Sequence, residues 1–200
     1  MTALRALGGE AFGMGAGIVR LALRPGPEGP PATLQAGSTR ALGAEPALWR
    51  AILFSEPHPG KRLPAGVKHE GTAIYEAARA AALRAGADEA LLVDERGLLV
   101  EGSRTNVFVA QRDGALVTPP LGSGAVAGVA REIVLERVLD AREDDVPLAA
   151  LAEAEEVVLV NAVRGAVRLS ELDGRPVGRL GSATWTKRLR ALLLSDPAPA

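Results

Sequence analysis

The sequence predicts an α+β fold in two parts, and three observations carry that prediction. Residues 56–66 hold three prolines and two glycines in eleven positions, which neither a helix nor a central strand tolerates. Beyond them, four short apolar runs at 90–93, 98–100, 106–110 and 115–117 are broken by Asp94-Glu95-Arg96-Gly97 and Arg112-Asp113-Gly114. That spacing predicts an antiparallel meander. Helical patterns at 72–85, 128–142 and 182–194 surround it. The expected organisation is therefore a smaller front domain over 1–55, a linker over 56–65 and a larger domain over 66–195.

The elements follow in order. Residues 2–10 read as a short helix ending in Gly8-Gly9, and 18–23 alternate as a half-buried strand should. Between them lies Gly13-Met14-Gly15-Ala16-Gly17. A dinucleotide-binding loop must follow a strand and open a helix; this one precedes a strand, so a plain loop is expected. A Pro/Gly loop occupies 25–31, with strands at 32–36 and 49–54. The alanine-rich helix at 72–85 stops at Gly86. Buried strands are expected at 157–160 and 167–170, and Ser182 as the N-cap of the last helix.

Composition excludes several function classes. Of the 200 residues 48% are hydrophobic and 24% charged, with a formal net charge of −1, so no bulk field draws the chain to nucleic acid or an anionic membrane. There is no cysteine and there are only two histidines, so neither a thiolate nucleophile nor a histidine-rich metal centre is expected. No apolar run approaches the roughly 18 residues of a membrane span, and the start lacks a signal-peptide pattern. The expected compartment is the cytoplasm.

Four features could carry chemistry. Lys68, one of three lysines against twenty arginines, sits among small and apolar neighbours in Ala65-Gly66-Val67-Lys68-His69. A desolvated lysine becomes an amine nucleophile, and a surface lysine is the plainer alternative. Glu101 ends the apolar run Leu98-Leu99-Val100, as a functional carboxylate at a sheet end or as a turn residue. The loop Gly122-Ser123-Gly124-Ala125-Val126-Ala127-Gly128 runs straight into a helix, whose first N–H groups suit a phosphate. It is otherwise an ordinary glycine loop. Finally, Asn161-Ala162-Val163-Arg164-Gly165 follows a buried strand, where an arginine can orient a carboxylate substrate or simply face solvent.

Together and in this order, these motifs resemble the class IV pyridoxal-phosphate enzymes. That family holds branched-chain and D-amino-acid aminotransferases and 4-amino-4-deoxychorismate lyases. Gly66-Val67-Lys68-His69, Gly86-Ala87-Asp88-Glu89-Ala90-Leu91-Leu92-Val93-Asp94, Glu101-Gly102-Ser103-Arg104-Thr105-Asn106-Val107-Phe108, Thr118-Pro119-Pro120-Leu121, Gly128-Val129-Ala130-Arg131 and Asn161-Ala162-Val163-Arg164-Gly165 carry the likeness over about 18–180. The resemblance implies the two-domain D-amino-acid-aminotransferase-like fold, with a mixed or antiparallel sheet flanked by helices in the larger domain. It implies pyridoxal 5'-phosphate as cofactor. Lys68 is then the amine that joins the cofactor aldehyde and moves the proton at the substrate α-carbon. Glu101 is the partner of the pyridine nitrogen. Gly128, Val129, Ala130 and Ala162 hold the phosphate, Asn161 and Arg164 face the substrate, and a homodimer is expected.

Three departures accompany the likeness. Ala130 and Ala162 stand where many members carry phosphate-binding hydroxyls. The tyrosine that aminotransferases often place five residues after the lysine is here Ala73, with Tyr75 two further on. The front of the small domain, with its phosphate arginine, has no counterpart upstream of Ile18, so the chain reads as shortened there. The expected reaction is that of aminodeoxychorismate lyase, releasing pyruvate to form 4-aminobenzoate on the folate route. Amino transfer to D- or branched-chain substrates is the alternative, and a non-catalytic remnant of the family is the alternative of another class.

Overall fold

A computed structural model describes Glu10 and residues 20–26, 29–37, 48–60, 73–179, 181 and 183–194. The chain divides into two units, Met1–Pro46 and Ala47–Ala200. In the first, β1 (Arg20–Gly26) and β2 (Gly29–Gly37) form an antiparallel pair with Leu23 opposite Leu34. The register shifts between Arg24 and Gly26, where Pro25 removes a ladder donor.

The second unit is built on one nine-stranded mixed sheet, in the order β5-β4-β3-β10-β9-β6-β7-β8 with β11 added to β10. Its strands are β3 (Leu48–Leu53), β4 (Glu89–Val93), β5 (Leu99–Gly102), β6 (Asn106–Ala110), β7 (Leu116–Thr118), β8 (Ala141–Glu143), β9 (Glu156–Asn161), β10 (Gly165–Leu172) and β11 (Arg175–Pro176). Four α-helices accompany them among the described residues: α1 (Ala73–Arg84), α2 (Val129–Arg137), the single turn α3 (Ala150–Glu153) and α4 (Thr184–Leu194). β3 runs parallel to both β4 and β10, and β7 to β8; the remaining pairs are antiparallel. Past β8 the chain reaches the far edge, where the Leu99 N–H donates to Val146 O at 2.8 Å and Leu98 bridges Pro147. The sheet therefore curls round, and its β5 edge is covered.

Strand alternation sorts the core onto two faces. Leu91, Leu99, Val107, Val109, Leu159, Val167 and Leu169 fill the inside of the curl with Trp49. Phe108, Ala110, Val158 and Val160 pack outward on α2 and α4 with Ala130, Val134 and Leu189, while Ala90 and Leu92 meet Ala78 and Ala82 of α1. At about 25 cal/mol per Å² of apolar surface removed from water, these layers hold the sheet in its curl. Alanine content favours α1, and Gly86 at φ +66° ends it, with Ala87 N–H bonding back to Ala82 O at 2.9 Å.

Four sequence expectations need correction. The strand at 49–54, assigned to a front domain over 1–55, is β3 and pairs inside the large sheet, where Trp49 and Ala51 are core residues. The proposed linker 56–65 is described only to Gly60; that part is tied down by the His58 N–H bonded to Val93 O at 2.7 Å. The meander is two hairpins, β4–β5 and β6–β7, because β9 pairs with β6 on the side where β5 was expected. The helix read over 128–142 stops at Arg137, since residues 141–143 gain a ladder on β7.

Candidate active site

The site begins with an irregularity in β5. Val93 pairs with Leu99 but Leu92 pairs with Glu101, leaving Val100 as an extra residue. This β-bulge turns the strand over. Leu99 points into the curl, whereas Glu101 shares the side of Leu92, which packs on α1. Strict alternation would have buried the carboxylate in the apolar interior.

Glu101 is 3% exposed and receives donors on both oxygens. Tyr75, on the first turn of α1, donates its hydroxyl to Oε1 in a short hydrogen bond. Oε2 accepts from Asn106 Nδ2 at 2.9 Å and from the Val126 N–H at 3.1 Å. This donor set suits an anion. Tyr75 also meets His58 Nε2 at 3.0 Å, the rings lying edge-on. Burial, then the Glu101 charge and hydrogen bond, push the Tyr75 hydroxyl far above the usual phenol range. Burial lowers His58 below its ordinary value, with Asp94 pulling the other way.

Asn106 joins this carboxylate to the glycine loop. Its Nδ2 also donates to Val126 O at 2.9 Å, and Val126 O accepts the Gly128 N–H at 2.8 Å. A Cβ on Gly128 would collide with Asn106 Oδ1, so any larger residue there must push the Asn106 amide aside. Gly128 caps α2 and carries no side chain of its own to bond the N–H groups at the helix start. Val129 is exposed at that start, whereas the Ala130 side chain lies in the apolar cluster below.

The 161–165 turn lies at the same sheet end, because Asn106 pairs with Val160 and Gly165 with Asn161. Asn161 Oδ1 accepts the Val163 and Arg164 N–H groups at 3.0 and 2.8 Å, and its Nδ2 donates to Arg104 O at 3.2 Å. Ala162 is exposed at the tip and Arg164 is half-buried. Glu101, Gly128, Val129, Ala130, Asn161, Ala162 and Arg164 are thus brought to one end of the sheet; Lys68 lies outside the described residues. Among the described residues no acidic or histidine cluster could hold a metal, and no helix is long and apolar enough to cross a membrane.

A sequence model of the amino-transferase class IV family matches residues 3–172. The chain belongs to that family. Class IV members similar to it include the Escherichia coli (strain K12) branched-chain-amino-acid aminotransferase, 30% identical over 113 residues, which are 54% of this chain and 36% of that one. The Saccharomyces cerevisiae aminodeoxychorismate lyase is 38% identical over 84 residues, 40% of this chain and 22% of that one. Among solved structures, a fold IV transaminase from Curtobacterium pusillum matches at TM-score 0.63 and 30% identity, over 74% of this chain and 54% of that chain. A branched-chain amino acid aminotransferase solved with pyridoxamine 5'-phosphate matches at TM-score 0.70 and 27% identity, over 84% of this chain and 58% of that chain. The chain spans less than half the length of the curated class IV relatives it matches. The fold is that of these class IV aminotransferases.

Sequence reasoning missed His58, Tyr75 as a Glu101 partner, and Asn106 as the bridge. For Asn106 a signal existed: a polar amide opening an otherwise apolar strand, five residues after the chosen carboxylate. For His58 none did, since prolines on both sides read as linker.

Proposed function

We propose that this chain forms the cofactor-binding part of a pyridoxal-phosphate-dependent enzyme, and that its reaction is amino transfer between an amino acid and a keto acid. The observation that supports this best is Glu101: a buried carboxylate with donors on both oxygens, set beside a glycine-capped helix start. The residues fit the cofactor. Glu101 would face the pyridine nitrogen, and the Val129 and Ala130 N–H groups with the Ala162 turn would hold the phosphate, Gly128 giving close access. Both alanines offer only backbone donors, and each missing hydroxyl bond is worth about 0.5–1.5 kcal/mol.

When bound, the cofactor supplies an electron sink for the charge left at the substrate α-carbon. Lys68 offers the amine that holds the cofactor and moves the α-proton. Glu101 keeps the ring nitrogen's proton in place, Asn106 fixes Glu101 against the phosphate end, and Arg164 with Asn161 orients the substrate carboxylate. The lyase reading has its own support in the stretch shared at 38% identity with the yeast aminodeoxychorismate lyase. A cytoplasmic setting and a homodimer complete the proposal.

Purified protein mixed with pyridoxal phosphate is expected to turn yellow and, after borohydride, to carry the label on Lys68. Lys68→Ala should then abolish turnover; full activity in that variant would overturn the site. Pyruvate release from aminodeoxychorismate, with no transfer from an amino donor to a keto acid, would replace transferase by lyase. A preparation that stays colourless with added cofactor would leave the non-catalytic remnant.

A further inference from the structure

We propose that His58 is a positioning residue for Glu101, acting through the Tyr75 hydroxyl; its role in turnover rests on the reading of Glu101 given above. His58 is 1% exposed. The segment that carries it is zipped to β4, with the Phe54 N–H on Leu91 O at 2.9 Å and the His58 N–H on Val93 O at 2.7 Å. Its ring orientation is therefore set by the sheet and not by solvent.

The direction of each hydrogen bond can be assigned. The Gly60 N–H donates to His58 Nδ1 at 3.0 Å, so Nδ1 is the acceptor and the ring proton sits on Nε2. An imidazolium would set an Nδ1–H against the Gly60 N–H, donor against donor, so the geometry selects the neutral ring. Nε2–H then has Tyr75 Oη as its acceptor at 3.0 Å. A phenol has one proton, and with its oxygen accepting from His58 that proton goes to Glu101 Oε1. Donation runs one way, from Gly60 through His58 and Tyr75 to Glu101.

The charged neighbours agree with this polarity. Asp94 and Arg96 line a cavity of about 320 Å³ on the outer side of His58, with Gly60 and Ser123. Asp94 favours the charged imidazole, and burial outweighs it. On the inner side Glu101 is the charge that Tyr75 faces.

The consequence is a carboxylate whose plane is fixed from two sides. Oε1 is held from α1 by Tyr75, and Oε2 from the glycine loop by Asn106 and the Val126 N–H. Without His58 the phenol hydrogen is free to rotate about its C–O bond, and Glu101 loses a preset donor. A planar heteroaromatic ring with a single N–H needs such a preset partner.

The test uses the full chain without cofactor, which separates this relay from the proposed activity. Only two histidines are present, so His69→Gln assigns the imidazole nitrogen resonances. Near neutral pH, His58 is expected as a neutral ring protonated on Nε2. Glu101→Gln should shift the Nε2–H resonance through the intervening phenol, and Tyr75→Phe should remove that response. A ring protonated on Nδ1, an imidazolium, or a signal indifferent to Glu101→Gln overturns the relay, and the wild-type tautomer decides even if a variant fails to fold. With pyridoxal phosphate added, His58→Leu should weaken binding about five- to tenfold and move the visible band, and His58→Gln should recover most of both. A folded His58→Gln with no recovery counts against the proposal. If the wild type binds no cofactor, the functional reading falls while the resonance experiment still decides the relay.

Discussion

Two buried carboxylates stand on neighbouring strands of this sheet, and they are buried in different ways. Glu89 is 0% exposed and is filled by its own neighbourhood: the Ala90 and Ser103 N–H groups and the Ser103 hydroxyl reach Oε1, and the Thr105 hydroxyl reaches Oε2 at 2.9 Å. Its donors all lie in β4 and the corner that joins β5 to β6. Among the described residues, Glu101 draws donors from three separate places, α1, β6 and the loop before α2. The first pattern closes a corner of the fold. The second collects distant segments around one carboxylate, and that is what a site asks of its scaffold. Burial alone does not distinguish them; the origin of the donors does.

The sharpest way to break this comparison is Glu89→Ala. It strands the Ser103 and Thr105 donors in the core and should cost about 3–5 kcal/mol of stability, read from the urea midpoint. A change under about 1 kcal/mol would show that the corner tolerates an empty centre. Glu101→Gln should do the reverse. It should lower stability by about 1 kcal/mol or less, yet reduce turnover about a hundredfold, the scale of losing one preorganised electrostatic partner. Equal losses in both assays would erase the distinction. Gly128→Ala sharpens it further: the added methyl must displace Asn106, so cofactor affinity should fall about tenfold with a smaller change in melting temperature.

The smallest expected effect is on acid stability. His58 is lowered from 6.5, so below that value the unfolded chain binds a proton that the folded chain refuses. Its contribution is complete above the unfolded value and is lost as pH falls from there towards the folded one. Asp94 is also lowered: burial opposes its charge, but the Leu98 N–H and the Arg96 side chain and N–H outweigh that. Its contribution is present above 3.8 and is lost as pH falls through its folded value. Melting temperature should therefore drop by a few degrees over the upper window, and His58→Gln should flatten that part of the curve. An unchanged slope in the variant would mean that His58 is not kept neutral by the fold.

The two carboxylates also mark what the sequence could disclose. Glu101 was legible because a charge closing an apolar strand before Gly102-Ser103 is visible in one dimension. So were the helix start at Gly128 and the apolar runs that build β9 and β10. Pairing between remote segments was not. Residues 48–53 join the large sheet between β4, about forty positions later, and β10, more than a hundred later. Likewise the N-terminus of α4 is capped by the Glu156 carboxylate, which accepts the Trp185 and Thr186 N–H groups at 2.8 and 3.0 Å from about thirty residues upstream. Ser182, the expected cap, lies outside the described residues. His58 was hidden for the same reason. Its prolines say that the segment is no helix, and nothing local says that it will run on beside β4 and be buried there.

The extra residue at Val100 has an evolutionary reading. Because side chains alternate sides along a strand, drawing Val100 into regular pairing so that the bulge closed would reverse the facing of Glu101. A carboxylate would enter the oily interior and its partners Tyr75, Asn106 and Val126 would lose it together. Substitutions can tune this strand by degrees, but its register is all or nothing. Lineages that vary in length should therefore vary in the turns on either side, at 94–97 and 111–114, and a chain one residue shorter through 98–102 should have lost the bulge and kept Glu101 opposite Leu92.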